Sequence, residues 1–266
     1  VHEVADRRNA AKVAANRRRT QLLCVLFALL PAVLFGVIFG ATAGVVVGTI
    51  VGAAVLVAVW VVALRTSWVL ALRLIGGRHL GGDELPGVAN QVDGLCATIG
   101  VTRPKLWLVD DAVANACAVD GIGSGGILVV TSGLVDRMGL IEMEGVLAHE
   151  LVHLKRRDAV VSAVAVATVG LIAYLTGRDG LVHAAVGRGR EYEVDQAAAL
   201  AVRYPPGLRD ALGAMGGRPH APGVFEGGRW SATRWIWIDP MVGAEPHAVV
   251  GELDATVVRR DALAEW

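Results

Sequence analysis

Two uncharged apolar runs, residues 22–39 and 45–64, constrain this 266-residue chain more than any other feature. Each is close to the ~20 residues that a helix needs to cross a bilayer. Residues 40–48 between them are small and Gly-rich, so the two runs read as a tight transmembrane hairpin. Pro31 in the first run is tolerated in a membrane helix. A secretory signal peptide would also follow a basic start, but a second full-length apolar run comes almost at once and leaves no polar mature start. Arg7, Arg8, Lys12, Arg17, Arg18 and Arg19 precede the hairpin, Arg65, Arg73 and Arg78 follow it, and the turn carries no charge. The positive-inside rule therefore expects both ends of the hairpin in the cytoplasm. Residues 1–21 are expected to be either a helix near the membrane surface or a basic tail.

Composition agrees with a membrane address and excludes little else. Hydrophobic residues make up 54% of the chain and the mean hydropathy is +0.53, high for a chain without membrane segments. A formal net charge of zero removes any global electrostatic case for nucleic acid. Cys24, Cys96 and Cys117 have no paired spacing, which fits a reducing compartment better than a disulfide framework. Residues 121–126 are Gly-rich, yet they precede a strand and lack a Gly-Lys-Ser/Thr ending, so no nucleotide site is expected.

Beyond residue 81 the pattern reads α+β, mainly helical with a small sheet. A helix is expected to about Ile99, with Pro86 in its first turn and Gly100 as its stop. Strands follow at 105–109, 113–119 and 127–131, then a short helix at 132–138. Residues 141–158 read as one amphipathic helix, with Gly145 its weak point. Residues 159–176 are uncharged and near spanning length. If they crossed the membrane, no later run could bring the chain back, so a buried or dipping helix is expected. Helices at 191–204, 208–215 and 248–266 complete the reading, with an irregular Gly, Pro and Trp-rich segment at 216–247.

The chemistry is concentrated in His149-Glu150-Leu151-Val152-His153. On a helix, His149 and His153 leave the same face one turn apart, which suits two nitrogen ligands of a tetrahedral zinc. Glu150 stands where it could take a proton from metal-bound water. A helix that merely carries two histidines is the plain alternative. A zinc site needs a third ligand and an outer carboxylate. Glu191 and Asp195, at i and i+4, could supply both, although an acidic first turn favoured by the helix dipole has the same sequence. His183, Asp158 and Glu193 are rival ligands. Asp158 reads more simply as an anchor for the end of the motif helix.

Together these residues resemble the HtpX-like membrane-bound zinc metallopeptidases, related to the CAAX prenyl endopeptidases. The resemblance covers about residues 84–204 in order. It rests on Lys105-Leu106-Trp107-Leu108-Val109, on Asn115-Ala116-Cys117-Ala118 and on Thr131-Ser132-Gly133-Leu134. It continues through residues 144–158 and Arg190-Glu191-Tyr192-Glu193-Val194-Asp195-Gln196-Ala197. It implies a zincin-like (gluzincin) domain and one Zn2+ held by His149, His153 and Glu191. Glu150 would be the general base, Asp195 the outer carboxylate, and Asn115, Ala116, Cys117 and Ala118 an edge strand for an extended substrate. Cys117 stands where the family has Phe, and Val194 where it has Ala. The family's C-terminal histidine is not recognisable: if Arg259 is the arginine that follows it, the histidine position falls on Leu253. His220, His247 and Arg259 are open candidates for stabilising the oxyanion.

The expectation is therefore a membrane-anchored zinc endopeptidase acting on polypeptides of membrane or misfolded proteins. It has a basic segment at 1–21, a hairpin at 22–66 and a cytoplasmic catalytic domain at 67–266, in a bacterial cell membrane. Its partners are polypeptide substrates and lipid, without nucleic acid or nucleotide. A catalytically silent zinc-containing scaffold is the alternative class. A di-iron oxidase would need several more paired histidines than seven allow.

Overall fold

The computed structural model describes residues 2–81, 84–215, 227–240 and 256–265. Helices α1 (His2–Ala43) and α2 (Val45–Ile75) turn at Gly44, whose φ of 96° suits glycine. Both are long and apolar enough to cross a membrane. Between them Gly36, Gly40, Gly48 and Gly52 let the two backbones touch: a Cβ on Gly48 would collide with the Gly36 carbonyl and Gly40 Cα. Residues 2–21 are helical, the first of the two alternatives, and continue without a break into the apolar run of α1.

Strand β1 (Arg78–His79) and helix α3 (Pro86–Ile99) lead to β2 (Lys105–Val109), β3 (Ala116–Val119) and β4 (Ile127–Thr131). The sheet order is β1-β2-β4-β3; β2 and β4 are parallel and the other two pairs antiparallel. Strand β3, expected from residue 113, starts at Ala116. Asn115 and Thr131 intervene with side-chain bonds of their own: Thr131 Oγ1 accepts from the Asn115 N–H at 2.9 Å. Both faces of the sheet are covered, which explains the near-continuous apolar strands. Ala116, Leu128 and Val130 face one core, Cys117, Val119, Ile127 and Val129 the other.

Helix α4 (Ser132–Arg137) leads to the motif helix α5 (Leu140–Arg156). It ends at Arg157 in the left-handed region (φ 59°), and Asp158 then opens α6 (Asp158–Thr168) instead of closing α5. Helix α7 (Gly170–Thr176) departs from α6 by 52°, so residues 159–176 are two helices and not one. Val164 of α6 packs with Cys24 and Ala63 of the hairpin, whereas α7 exposes Leu171, Ile172 and Leu175.

Helices α8 (Gly180–Val186), α9 (Arg190–Val202) and α10 (Pro205–Met215) follow. Gly145, the apparent weak point of α5, is where α10 crosses: a Cβ there would lie 2.6 Å from the Leu208 nitrogen. The segment expected to be irregular contains α11 (Gly227–Thr233) and a 3-10 turn, Arg234–Ile236. Of the last helix, expected at 248–266, the described residues show α12 (Thr256–Ala264), and residues 248–255 lie outside them. His220, His247 and Leu253 lie outside the described residues.

Candidate metal centre

Helix α5 brings His149, Glu150 and His153 into the core, and α9 brings Glu191 and Asp195 against them; all five are at least 95% buried. His149 Nε2 lies 3.1 Å from His153 Nε2, and Glu191 Oε2 lies 3.0 and 3.1 Å from those two atoms. The two histidines of one helix and the carboxylate that the resemblance implies as third ligand thus converge on one point. Among the described residues, His149, His153 and Glu191 form the one group arranged to hold a metal.

Outer carboxylates define the rings. His149 Nδ1 is 2.8 Å from Asp195 Oδ1, and His153 Nδ1 is 3.3 Å from Asp158 Oδ2. With the His153 Nδ1 hydrogen directed to Asp158 and His149 Nδ1 beside Asp195, each Nε2 can present a lone pair. In that tautomer the three atoms, about 3 Å apart, repel one another unless a metal ion or a proton on one Nε2 sits among them. The donor set and its outer shell therefore fit a divalent metal that takes nitrogen and oxygen ligands, such as zinc.

The electrostatics point the same way. Burial disfavours ionised Glu191, but His153 and Arg190 outweigh it and hold the carboxyl well below its ordinary range. Arg190 donates to Glu191 Oε1 at 2.6 Å, leaving Oε2 for the metal position. For His153, burial opposes protonation, and Glu191 and Asp158 overcome it, so the pKa is pushed up to about 9 without metal. Burial raises the Glu150 carboxyl, with the two histidines pulling it partly back. Neither Glu150 oxygen has a hydrogen-bond partner, an expensive state for a buried carboxylate without a further occupant of the site. Burial, and then Glu150, push the Cys117 thiol well up, so it stays protonated beside that carboxylate.

Other expected residues fall elsewhere. His183 is stacked on Trp235 at 3.7 Å and is not in the ligand group. Glu193 pairs with Lys12 at the surface. Asp158 does not simply anchor a helix end but holds His153. Arg259 is fully buried, and its guanidinium binds both oxygens of Asp195 at 2.6 and 2.8 Å, so it supports the outer carboxylate and is not available to an oxyanion. Asn16, which the motif reading does not include, donates to Asp158 Oδ1 at 2.6 Å. No spacing rule connects it to residues 142 positions away.

Asn115, Ala116, Cys117 and Ala118 lie on and just before edge strand β3, but they are all buried. The Ala116 carbonyl accepts from the Ile238 N–H at 2.9 Å. The Asn115 amide donates to the Asp239 carbonyl at 2.8 Å and accepts from the Asp239 N–H at 3.1 Å. The chain's own 238–239 stretch therefore lies where an added strand would pair.

Fold and site define a class. Residues 86–212 match peptidase family M48, and over that region the chain is similar to curated HtpX-type proteases. It is 34% identical over 183 residues to a "Protease HtpX homolog" of Dictyoglomus thermophilum, covering 56% of this chain and 60% of the relative. A protein of the same description from Tropheryma whipplei is 33% identical over 181 residues, covering 56% and 62%. One from Salinibacter ruber is 30% identical over 170 residues, covering 55% and 62%. The chain thus spans about three-fifths of the length of these relatives. No solved structure matches it significantly.

Proposed function

We propose that the chain is a membrane-anchored, zinc-dependent endopeptidase whose site faces the cytoplasm. The observation that carries this reading is the convergence of His149 Nε2, His153 Nε2 and Glu191 Oε2 beside the unpartnered carboxylate of Glu150. Those three residues would hold one zinc. Bound there, it would supply Lewis-acid polarisation of a peptide carbonyl and an acidified water. Glu150 would take the proton from the attacking water and return it to the leaving amine, without a covalent intermediate. Its burial suits that role, since it raises the carboxyl above its ordinary range and so favours holding the proton before passing it on. Asp195 and Asp158 would hold the imidazoles in the ligating tautomer.

Substrate would bind in extended form against β3, with main-chain pairing giving affinity and little sequence demand. That requires residues 238–239 to leave the strand edge. Membrane or misfolded polypeptides are the expected substrates. The charges flanking the hairpin support a division into a basic segment at 1–21, a hairpin at 22–66 and a cytoplasmic domain at 67–266, in a bacterial cell membrane. A latent scaffold that keeps zinc for structure is the second reading, favoured by the occupied strand edge.

The test uses the full chain in detergent micelles. About one zinc per chain is expected, with cleavage of unfolded casein that falls by at least ~10³-fold in Glu150→Gln while zinc content is kept. Zinc at full stoichiometry with no turnover in either protein favours the scaffold. Full activity in Glu150→Gln overturns the mechanism.

A further inference from the structure

A second site lies behind the metal centre, on the side of the hairpin. A cavity of about 120 Å³ opens between α1, the end of α5 and the start of α9. Five cationic side chains line it: Lys12 and Arg19 from α1, Arg156 from α5, and Arg188 and Arg190 at the entry to α9. Only two carboxylates do so, Asp158 and Glu193. Both are engaged, Asp158 by His153 and Asn16 and Glu193 by Lys12.

Lys12 and Arg190 are paired with Glu193 and Glu191, whereas Arg19 and Arg156 are held by neutral dipoles and keep their charge uncompensated. Arg19 donates to the carbonyls of Val186 and Ala184 at 3.3 and 3.1 Å, and Arg156 to that of Glu193 at 3.1 Å. Arg188 is exposed and makes no hydrogen bond or ion pair with any described residue. Gly187 and Gly189, with φ of 102° and 71°, bend the chain around the cavity, and a Cβ on Gly187 would strike the Arg19 guanidinium. No side chain caps the first turn of α9. Its positive dipole end adds to the cationic field.

Position on the helix identifies where a ligand would come from. Arg19 precedes the apolar run at Leu22 by three residues, or ~4.5 Å of helix, and Lys12 by ten, or ~15 Å. The cavity is therefore at headgroup depth and just beneath it. We propose that this pocket binds a phosphate group, presented by an anionic phospholipid headgroup at the membrane surface. Phosphate is the chemistry that guanidinium forks and an open helix start recognise together. Bound there, it would bridge α1 to the α5 and α9 ends that carry His153 and Glu191. The assignment does not depend on the peptidase reading.

The test measures binding and not turnover, so it can be run on the full chain in the Glu150→Gln background. Detergent-solubilised protein is titrated with phosphatidylglycerol or phosphatidylcholine by native mass spectrometry, and with inorganic phosphate by calorimetry. Arg188→Gln removes a surface charge without disturbing the fold; Arg17→Gln, outside the cavity, is the control. Saturable phosphatidylglycerol binding at one site, weakened roughly fivefold in Arg188→Gln and unchanged in Arg17→Gln, is expected. Inorganic phosphate binding with that variant pattern, and no preference for phosphatidylglycerol, keeps the site but assigns it to free phosphate. If neither probe binds, or Arg188→Gln and Arg17→Gln behave alike, the proposal is overturned.

Discussion

The two imidazoles of the metal centre are held by arms of different make. His149 leans on Asp195, and Asp195 on Arg259 of the last helix, a pair wholly buried in the domain core. His153 leans on Asp158, and Asp158 on Asn16 of α1, the helix that continues into the membrane run. The first arm is a bidentate ion pair removed from water. The second ends in one neutral amide at the rim of a cationic cavity. Orientation of one ligand is thus intrinsic to the domain, and orientation of the other passes through the hairpin.

The strongest challenge to that contrast is to break the buried arm. Arg259→Met leaves the Asp195 carboxylate uncompensated in the core and should cost about 3–5 kcal/mol, read as a lower denaturation midpoint. A loss below ~1 kcal/mol would mean that water reaches the pair. Asp195→Asn keeps the shape and should weaken zinc binding ~10–100-fold, measured by chelator competition.

The hairpin arm should respond more weakly. Asn16→Ala removes one hydrogen bond to a charged group, worth about 1.5–3 kcal/mol at most and less at a part-buried position. Zinc affinity should fall by a few-fold, and the effect should vanish in an Asp158→Asn background, which a double-mutant cycle would reveal. Equal losses for Asn16→Ala and Arg259→Met would erase the distinction between the arms.

A separate effect concerns pH in the metal-free protein. The folded pKa of His153 is about 9 against an ordinary 6.5, so its protonated form stabilises the fold. That contribution is fully present below pH ~6.5 and is lost as pH rises through about 9. Zinc competes with the same proton, so its affinity should rise over the same window. Unfolding midpoints of chelated protein between pH 6 and 9.5 check the sign, and a rise in stability across that range would refute it.

What could be read from residues alone follows the range of the interactions involved. The hairpin, α3, α5 and α9 announce themselves because apolar period and caps are local. His149, His153, Glu191 and Asp195 are legible for the same reason, each pair being one helical turn apart. Asn16 and Arg259 act across 142 and 64 positions and leave no periodic trace. The break at Val169 was equally hidden, since an uninterrupted apolar run does not record where a second core bends it. Gly145 looked like a flaw in a helix until α10 was found pressed against it. The covering of β3 by residues 238–239 depends on tertiary pairing that no strand pattern in a Trp-rich segment displays.

The central claim is that His149, His153 and Glu191 together hold one zinc. Zinc K-edge absorption spectroscopy on the full chain in micelles, beside Glu191→Gln, tests it most directly. The account predicts two imidazole nitrogens and carboxylate oxygen at about 2.0–2.2 Å, with the oxygen contribution altered in Glu191→Gln. Sulfur ligands at about 2.3 Å, or identical spectra from the two proteins, would contradict it.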